Sequence, residues 1–385
     1  MPSVTIADVD YLIFYNGYAE DMRTYLSVNK AAWTCEELWF PYGVNILYGP
    51  KKKSRLQIVC ENLDSEIFTS YTDNQYHRVD KLIELGANPD IEDTEGMTPL
   101  MICARDGWEE HQYMASWLIE YCGADVNRKN RDGYTALHLA AANNKHHIVK
   151  VLLSHGADIN TNNCDDYARP IDWAANRGHL LTVKILLENG ATINSVVMHS
   201  AIRKPGNAAI IKYLHAKGCP LPPNPLFVAI SNNNYSSIKC LIKCGADPNE
   251  RYEPHTILDL YLDTPEAVVA LCEAGADVNL LSNGRSIVWR AVNTYKGNLT
   301  LLKTLCKYRV NLNVRDHDGQ TPLHILVEDA RPGDDITYIK EFLKNSIDFS
   351  IIDNFGSTAL QIAQSRGLTE VVCLIKRAIL RQKMK

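Results

Sequence analysis

The chain of 385 residues carries 12 His and 11 Cys, so the first matter is whether any of them stand at a spacing that does chemistry. Cys240 and Cys244 are four apart, which on a helix puts both thiols on one face. A tetrahedral zinc site needs two more ligands beside them. The phrase KCLIKCGAD supplies none, and related segments carry Leu or Val at these places, so the pair reads as core. His146-His147 opens a helix and likewise lacks companions for a metal. His138 and His324 each close a phrase of the form Thr-Ala/Pro-Leu-His, and His199 falls at the same place in VVMH. Single carboxylates such as Asp132 and Asp316 sit in turns and form no pair for general acid–base work. There is no GxxxxGK[ST] loop, no GxGxxG after a strand, no GxSxG elbow and no HExxH. No catalytic residue, cofactor or metal is assigned, and the expectation is a protein that is not an enzyme.

The elements that would position these side chains follow from a repeat. A phrase of Gly, a small residue, Asp or Asn, an apolar residue or Pro, and Asn recurs at Gly86, Gly123, Gly156, Gly190, Gly245 and Gly275. Weaker copies begin at Gly43, Gly218, Arg309 and Ser346, and the mean spacing is about 34 residues. A second phrase is locked to it: GMTPLMICA from Gly96, GYTALHLAA from Gly133, YARPIDWAA from Tyr167, GQTPLHILV from Gly319 and GSTALQIAQ from Gly356. Two phrases in phase over so long a span mark an array of supersecondary units. In the best copy Thr135 is placed to cap a short first helix, and sister copies put Pro99, Pro170 and Pro322 at its first position, where a missing N–H costs nothing. Leu137, Ala140 and Ala141 form its apolar face. A second helix from about His146 turns Ile148, Val149, Val151, Leu152 and Leu153 inward. Gly156 ends it with a left-handed residue, and the polar stretch ending at Asp132-Gly133 reads as a tight turn or hairpin.

The sequence resembles the ankyrin repeat family, through TALHLAA at 135–141, TPLH at 321–324, TPL at 98–100 and GADVN/GADIN at 123–127 and 156–160. The resemblance implies an all-α solenoid: about ten helix-turn-helix units with β-hairpin loops, stacked in a curve whose concave face is lined by hairpin tips and inner helices. It implies that the phrase-closing His is structural, and that Asn127, Asn160 and Asn279 are of the kind that is hydroxylated in similar repeats.

The array is expected to divide into a degenerate N-terminal capping repeat with an insertion (1–55), regular repeats (56–195), short irregular repeats (196–275), and further repeats with a C-terminal capping helix (276–385). The insertion around residues 31–42 holds Trp33, Trp39 and Phe40, read as covering the open end of the core. In the irregular stretch the spacing shrinks, hairpins are expected to shorten, and Tyr261 falls where a small Ala is expected, which should push neighbouring units apart or demand compensation. The tail RAILRQKMK is read as a helix end with a suitable basic charge and as too short for a further domain.

What remains is a surface. Counted by phase, the positions free of the core include Glu95, Met97, Arg105, Asp106, Arg131, Asp132, Tyr134, Asn143, Tyr167, Asn176, Arg177, Arg285, His317 and Gln320. Tyr and Arg are the types most enriched at interface anchors. A net charge of −5 gives no global basic field for nucleic acid, and no apolar run approaches the roughly 20 residues that span a bilayer. With no export signal at the N-terminus, the 11 scattered Cys read as reduced thiols. The expectation is a monomeric, intracellular module, in the cytoplasm or nucleus, that binds one or more proteins. The alternative is an enzyme or metal-dependent protein whose site lies in the degenerate N-terminal or middle repeats.

Overall fold

The computed structural model describes residues 54, 79–80, 82–84, 86–107, 111–164, 168–282, 284–293, 298–331, 333 and 336–384. The expected N-terminal cap, with Trp33, Trp39 and Phe40, lies outside the described residues, as does Tyr167. The chain divides into two compact units, residues 1–204 with 217–220 and residues 205–216 with 221–385.

In the first unit short helices alternate with slightly longer ones: α1 (Pro99–Asp106), α2 (His111–Glu120), α3 (Ala136–Ala142), α4 (His146–Ser154), α5 (Pro170–Arg177), α6 (Leu180–Glu188) and α7 (Ser195–Ile202). The short helices pack in one row, α1 on α3, α3 on α5 and α5 on α7; the longer ones form a second row, α2 on α4 and α4 on α6. Residue size explains the first row. Ala140 and Ala141 of α3 and Ala174 and Ala175 of α5 are fully buried, and only a side chain that small lets consecutive helices approach so closely. In α4 the covered residues are Ile148, Val149 and Leu152, each contributing about 2 kcal/mol by leaving water. Val151 and Leu153, expected inward, lie half-buried on the flanks of that stripe.

The caps are side-chain chemistry. Thr135 Oγ1 and its backbone N–H both meet Nδ1 of His138, at 2.9 and 3.1 Å. His138 Nε2 lies 3.1 Å from the Ala168 carbonyl of the next turn. One imidazole thus closes the helix start and ties two repeats together, so the structural role that the resemblance implied has a specific geometry. Gly133 sits at φ 80°, where a Cβ would lie 2.6 Å from the Cys164 backbone nitrogen. The two turns approach that closely because Cys164 N–H donates to the Asp132 carbonyl at 3.1 Å.

The second unit runs α8 (Ala208–Ala216), α9 (Pro225–Ser231), α10 (Tyr235–Lys243), the hairpin β1 (Arg251–Tyr252) and β2 (His255–Thr256), α11 (Ile257–Leu260) and α12 (Pro265–Glu273). A second hairpin, β3 (Leu281–Ser282) and β4 (Arg285–Ser286), leads into α13 (Ile287–Asn293), α14 (Leu299–Lys307), α15 (Pro322–Asp329), α16 (Thr337–Phe342), α17 (Ala359–Ser365) and α18 (Thr369–Lys383). Both hairpins are antiparallel, with Tyr252 opposite His255 and Ser282 opposite Arg285. No hairpin precedes α7 or α9, but one precedes α11 within the expected short region. Tyr261 does not wedge the core: α11 stops at Leu260, and Tyr261 caps it, with its hydroxyl 2.9 Å from Ser231 Oγ. Thr321 and His324 repeat the Thr–His cap, and His324 Nε2 reaches the Ser357 carbonyl at 3.2 Å. In α18 a single stripe, Val371, Ile375 and Ala378, is buried, and α18 packs on α17.

Candidate functional site

The turns that carry the candidate surface are held by Asn and Asp side chains. Asn130 Oδ1 accepts from the N–H of Asp132 at 3.1 Å and of Tyr134 at 2.8 Å. Asp93 does the same for Glu95 and Met97, and Asp316 for Asp318 and Gln320. A second row stitches one repeat to the next. Asn127 Oδ1 accepts from Asp158 N–H at 2.7 Å, Asn160 Oδ1 from Thr192 N–H at 2.9 Å, and Asn279 Oδ1 from Asn311 N–H at 2.7 Å. Asx bonds of this kind satisfy backbone donors that a strand ladder would otherwise take, so the tips are ordered without long strands.

On that frame most of the predicted surface residues are accessible. Glu95, Asp106, Arg131, Asp132, Asn143, Arg177, Arg285 and His317 are exposed; Arg105, Tyr134, Asn176 and Gln320 are half-buried. Met97 is not available: it is 3% exposed, and Asn130 Nδ2 lies 3.8 Å from its sulfur. Its position is the one Tyr134 occupies in the next repeat, but the flexible thioether folds under the following turn. Arg105 is engaged with Asp106 through two bonds of 2.8 and 2.7 Å, and with Glu95 at 3.7 Å. Gln320 is bonded to Glu328 at 2.7 Å.

The structure brings together a group in the first unit that phase counting found only in part. Tyr134 sets its ring edge against Trp173, centroids 5.7 Å apart, and the Arg177 guanidinium lies 5.7 Å from the centre of the same indole. Such contacts each contribute on the order of 1 kcal/mol. Trp173 Nε1–H has no partner. Trp173 was missed because its place in the best copy is Leu139, an inconspicuous half-buried residue. The telling signal is a large aromatic at the position after the phrase-closing residue.

The second unit carries a polar cluster built at the corresponding places. Asp259 stands where other repeats have His138 and His324, and is 1% exposed. Its Oδ2 takes a bond from Ser282 Oγ at 2.6 Å, lies 2.8 Å from His255 Nδ1 and is paired with Arg290 NH1 at 2.6 Å; Oδ1 has no partner. A carboxylate cannot donate across the repeat boundary as His138 does, so the next repeat supplies the donors. Ser282, Asp259 and His255 are the residue types of a hydrolase triad but not in its linear relay: the serine hydroxyl donates to the carboxylate at 2.6 Å, and His255 Nδ1 lies 2.8 Å from that same oxygen and 3.2 Å from the hydroxyl. A cavity of about 220 Å³ opens beside this cluster, lined also by Arg285, Trp289 and Asn293. In the same unit the rings of Phe227 and Tyr252 lie 4.9 Å apart, with Tyr261 6.1 Å from Phe227.

Cys240 is buried, its Sγ 3.7 Å from the Ala208 carbonyl, and burial pushes the Cys244 thiol up to about 11. Thiols in that state are poor nucleophiles. Among the described residues no three of His, Cys, Asp and Glu converge as metal ligands would, and no helix is long and apolar enough to cross a membrane.

Comparison with known proteins gives one consistent result. The model of ankyrin repeats (3 copies) matches residues 67–163, 110–197, 171–252 and 288–383, more than half of the chain. An ankyrin repeat protein of Acanthamoeba polyphaga mimivirus is 23% identical over 353 residues, covering 82% of this chain and 42% of that protein. An ankyrin repeat and KH domain-containing protein of Caenorhabditis elegans is 26% identical over 315 residues, 77% of this chain and 12% of its own length. The crystal structure of a human ankyrin repeat domain is 23% identical, with a TM-score of 0.46, over 54% of this chain and 98% of that one.

Proposed function

We propose that this chain, which belongs to the ankyrin repeat family, is a non-catalytic protein–protein interaction module whose binding surface is built from the turn tips and the short helices. Ankyrin repeats are generally protein-binding modules. The observation that carries the reading here is the Tyr134–Trp173–Arg177 group: three side chains of anchor type, contributed by consecutive repeats and held in register by the turn network before any partner arrives. A surface already ordered loses little conformational entropy on docking, and at about 0.5–1.5 kcal/mol per side chain that would otherwise be immobilised the saving is large. Scaffolding, adaptor work and inhibition of a bound enzyme all use such a surface in the same way. We place the protein inside the cell on the strength of the free cysteines among the described residues, and read it as a monomer.

The test is affinity capture with identification of the bound proteins, done in parallel with the wild type, a Tyr134→Ala/Arg177→Ala variant, and a control with Tyr113→Ala on the exposed side of α2. Partners captured by the wild type and by the control, but depleted at least tenfold by the double variant, support the reading. A captured set that the double variant leaves intact sinks it.

A further inference from the structure

We propose that the cavity beside Asp259 is a subsite for an acidic side chain, presented by an extended segment of a partner protein. This rests on reading the turn tips and short helices as the binding surface. It adds the chemistry that one part of that surface selects.

Three observations converge. The first is size. At about 220 Å³ the cavity falls below the ~300–1,000 Å³ typical of small-molecule sites, and at ~30 Å³ per water it holds the volume of several waters. That suits one side chain, not a whole metabolite. The second is charge. Asp259 is committed through Oδ2 to Ser282, His255 and Arg290. The guanidinium of Arg285, the exposed residue of β4, has no side-chain partner among the described residues. Trp289 Nε1–H is also unpartnered, though buried, as is the acceptor Asp259 Oδ1; the exposed charged group at the cavity is the Arg285 donor. Counting Arg285, Arg290 and Asp259, the site carries one net positive charge. A carboxylate neutralises it and takes charge-assisted hydrogen bonds; a cation or an apolar group leaves Arg285 unanswered. The third is continuity. Hairpin β1–β2 carries Tyr252 directly opposite His255, and α11 carries Asp259 and ends in Tyr261. Tyr252 is thus placed across the hairpin from His255, a lining residue, and its ring lies 4.9 Å from that of the exposed Phe227, so a segment that continues from the cavity along the hairpin meets an aromatic surface next to its acid. Interface anchors of this kind combine an aromatic platform with a desolvated charge pair.

The buried Asp259 gives the pocket its shape. Arg290 is held by the carboxylate and by the Asp259 carbonyl at 3.2 Å, so its orientation does not have to be found on binding.

The experiment is selection of random dodecapeptides from a display library on the full chain, followed by affinity measurement of the enriched peptides on the wild type, Arg285→Glu and Trp289→Phe. Arg285 is exposed and Phe keeps an aromatic ring at position 289, so both variants should give the wild-type circular dichroism spectrum. Enrichment of Asp or Glu, with affinity lowered at least tenfold by Arg285→Glu and several-fold by Trp289→Phe, supports the subsite. Enrichment of Lys or Arg would instead point to the free Asp259 Oδ1 as the contact, and would overturn it. No acidic enrichment, or acidic peptides that Arg285→Glu retains within twofold, overturns it as well. Peptides that survive Arg285→Glu but are lost on Tyr134→Ala refute the subsite alone and leave the surface reading standing.

Discussion

Arg169 and Asp172 offer a way to exchange one solution of a structural problem for another. They occupy the places of Thr135 and His138, where the helix start must be capped and the next repeat reached. Here the guanidinium does the reaching. Arg169 is paired with Asp172 through Nε at 2.9 Å, and its terminal nitrogens donate to the Thr192 carbonyl at 2.9 Å, to Thr192 Oγ1 and to Asn194 Oδ1 at 2.9 Å. The two side chains are 8% and 2% exposed. Replacing Arg169 by Thr leaves a buried carboxylate with the backbone N–H of residue 169 and no cation, and replacing Asp172 by His strands a buried guanidinium beside an imidazole. Removing one partner of a buried pair costs about 3–5 kcal/mol, so each single change should lower stability by that order. The double variant Arg169→Thr/Asp172→His recreates the cap of α3 and α15. Its imidazole faces the Thr192 carbonyl, as His138 faces Ala168, so it should recover most of the loss. Urea unfolding followed by far-UV circular dichroism reads this directly. With a slope of about 2 kcal/mol per molar, a loss of about 3 kcal/mol moves the midpoint by about 1.5 M. The double variant should return to within about 0.5 M of the wild type, a coupling of 2 kcal/mol or more. A double variant at the sum of the two singles would refute the view that Arg–Asp and Thr–His are alternative answers to one requirement.

Two glycines separate backbone strain from close approach. Gly133 and Gly156 both have φ near 80°. An alanine at Gly156 meets nothing within 4 Å and should cost about 1 kcal/mol, whereas at Gly133 it collides with Cys164 and should cost at least ~1 kcal/mol more as the Cys164–Asp132 bond is lost; equal losses in a urea titration would discredit the turn-to-turn contact. Three histidines of the first unit, His155, His179 and His199, should titrate on opposite sides of the free value. Burial lowers His179 and His199, while the Val151 carbonyl, with help from Glu120, raises His155 against its own desolvation. The lowered pair contributes stability that is full above about pH 6.5 and falls as the pH drops below that value. The contribution of His155 has the opposite sign, present below about pH 6.5 and lost as the pH rises through its raised folded value. Proton NMR of the imidazole resonances checks the order, and a His155 that titrates below His179 would contradict it. Asn127→Ala removes the acceptor for Asp158 N–H and the 3.2 Å donor to the Gly156 carbonyl, so hydrogen exchange at Asp158 should quicken while α3 keeps its protection; an unchanged rate would show that the Asn row does not hold the turns.

Much of the fold was legible because the repeat is written in small residues and caps. Thr, Pro, Ala and Gly each have one job at their positions, and the period carries them from copy to copy. Legibility failed where a job can be done by different chemistry. Asp172 and Asp259 stand at the position of His138, and there a carboxylate requires donors from elsewhere in the chain: Arg169 in one case, Ser282 and Arg290 in the other. The pairing is a contact over as many as 31 residues. The surface residues were less readable. Arg131 and Arg285 stand at turn tips, where any side chain points out. Met97 shares its register position with Tyr134 and is buried, because a flexible apolar chain follows the neighbouring turn where a stiff phenol cannot. Tyr261 looked like a wedge in a helix, but the helix ends before it.

The most direct test of the binding surface is hydrogen–deuterium exchange of the full chain with and without a captured partner. Slowed exchange on docking is expected in the turn at residues 130–134 and in α3, α5 and α13, with α2, α4 and α6 unchanged. Protection confined to α2, α4 and α6, with the turns and short helices exchanging as in the free chain, would contradict it.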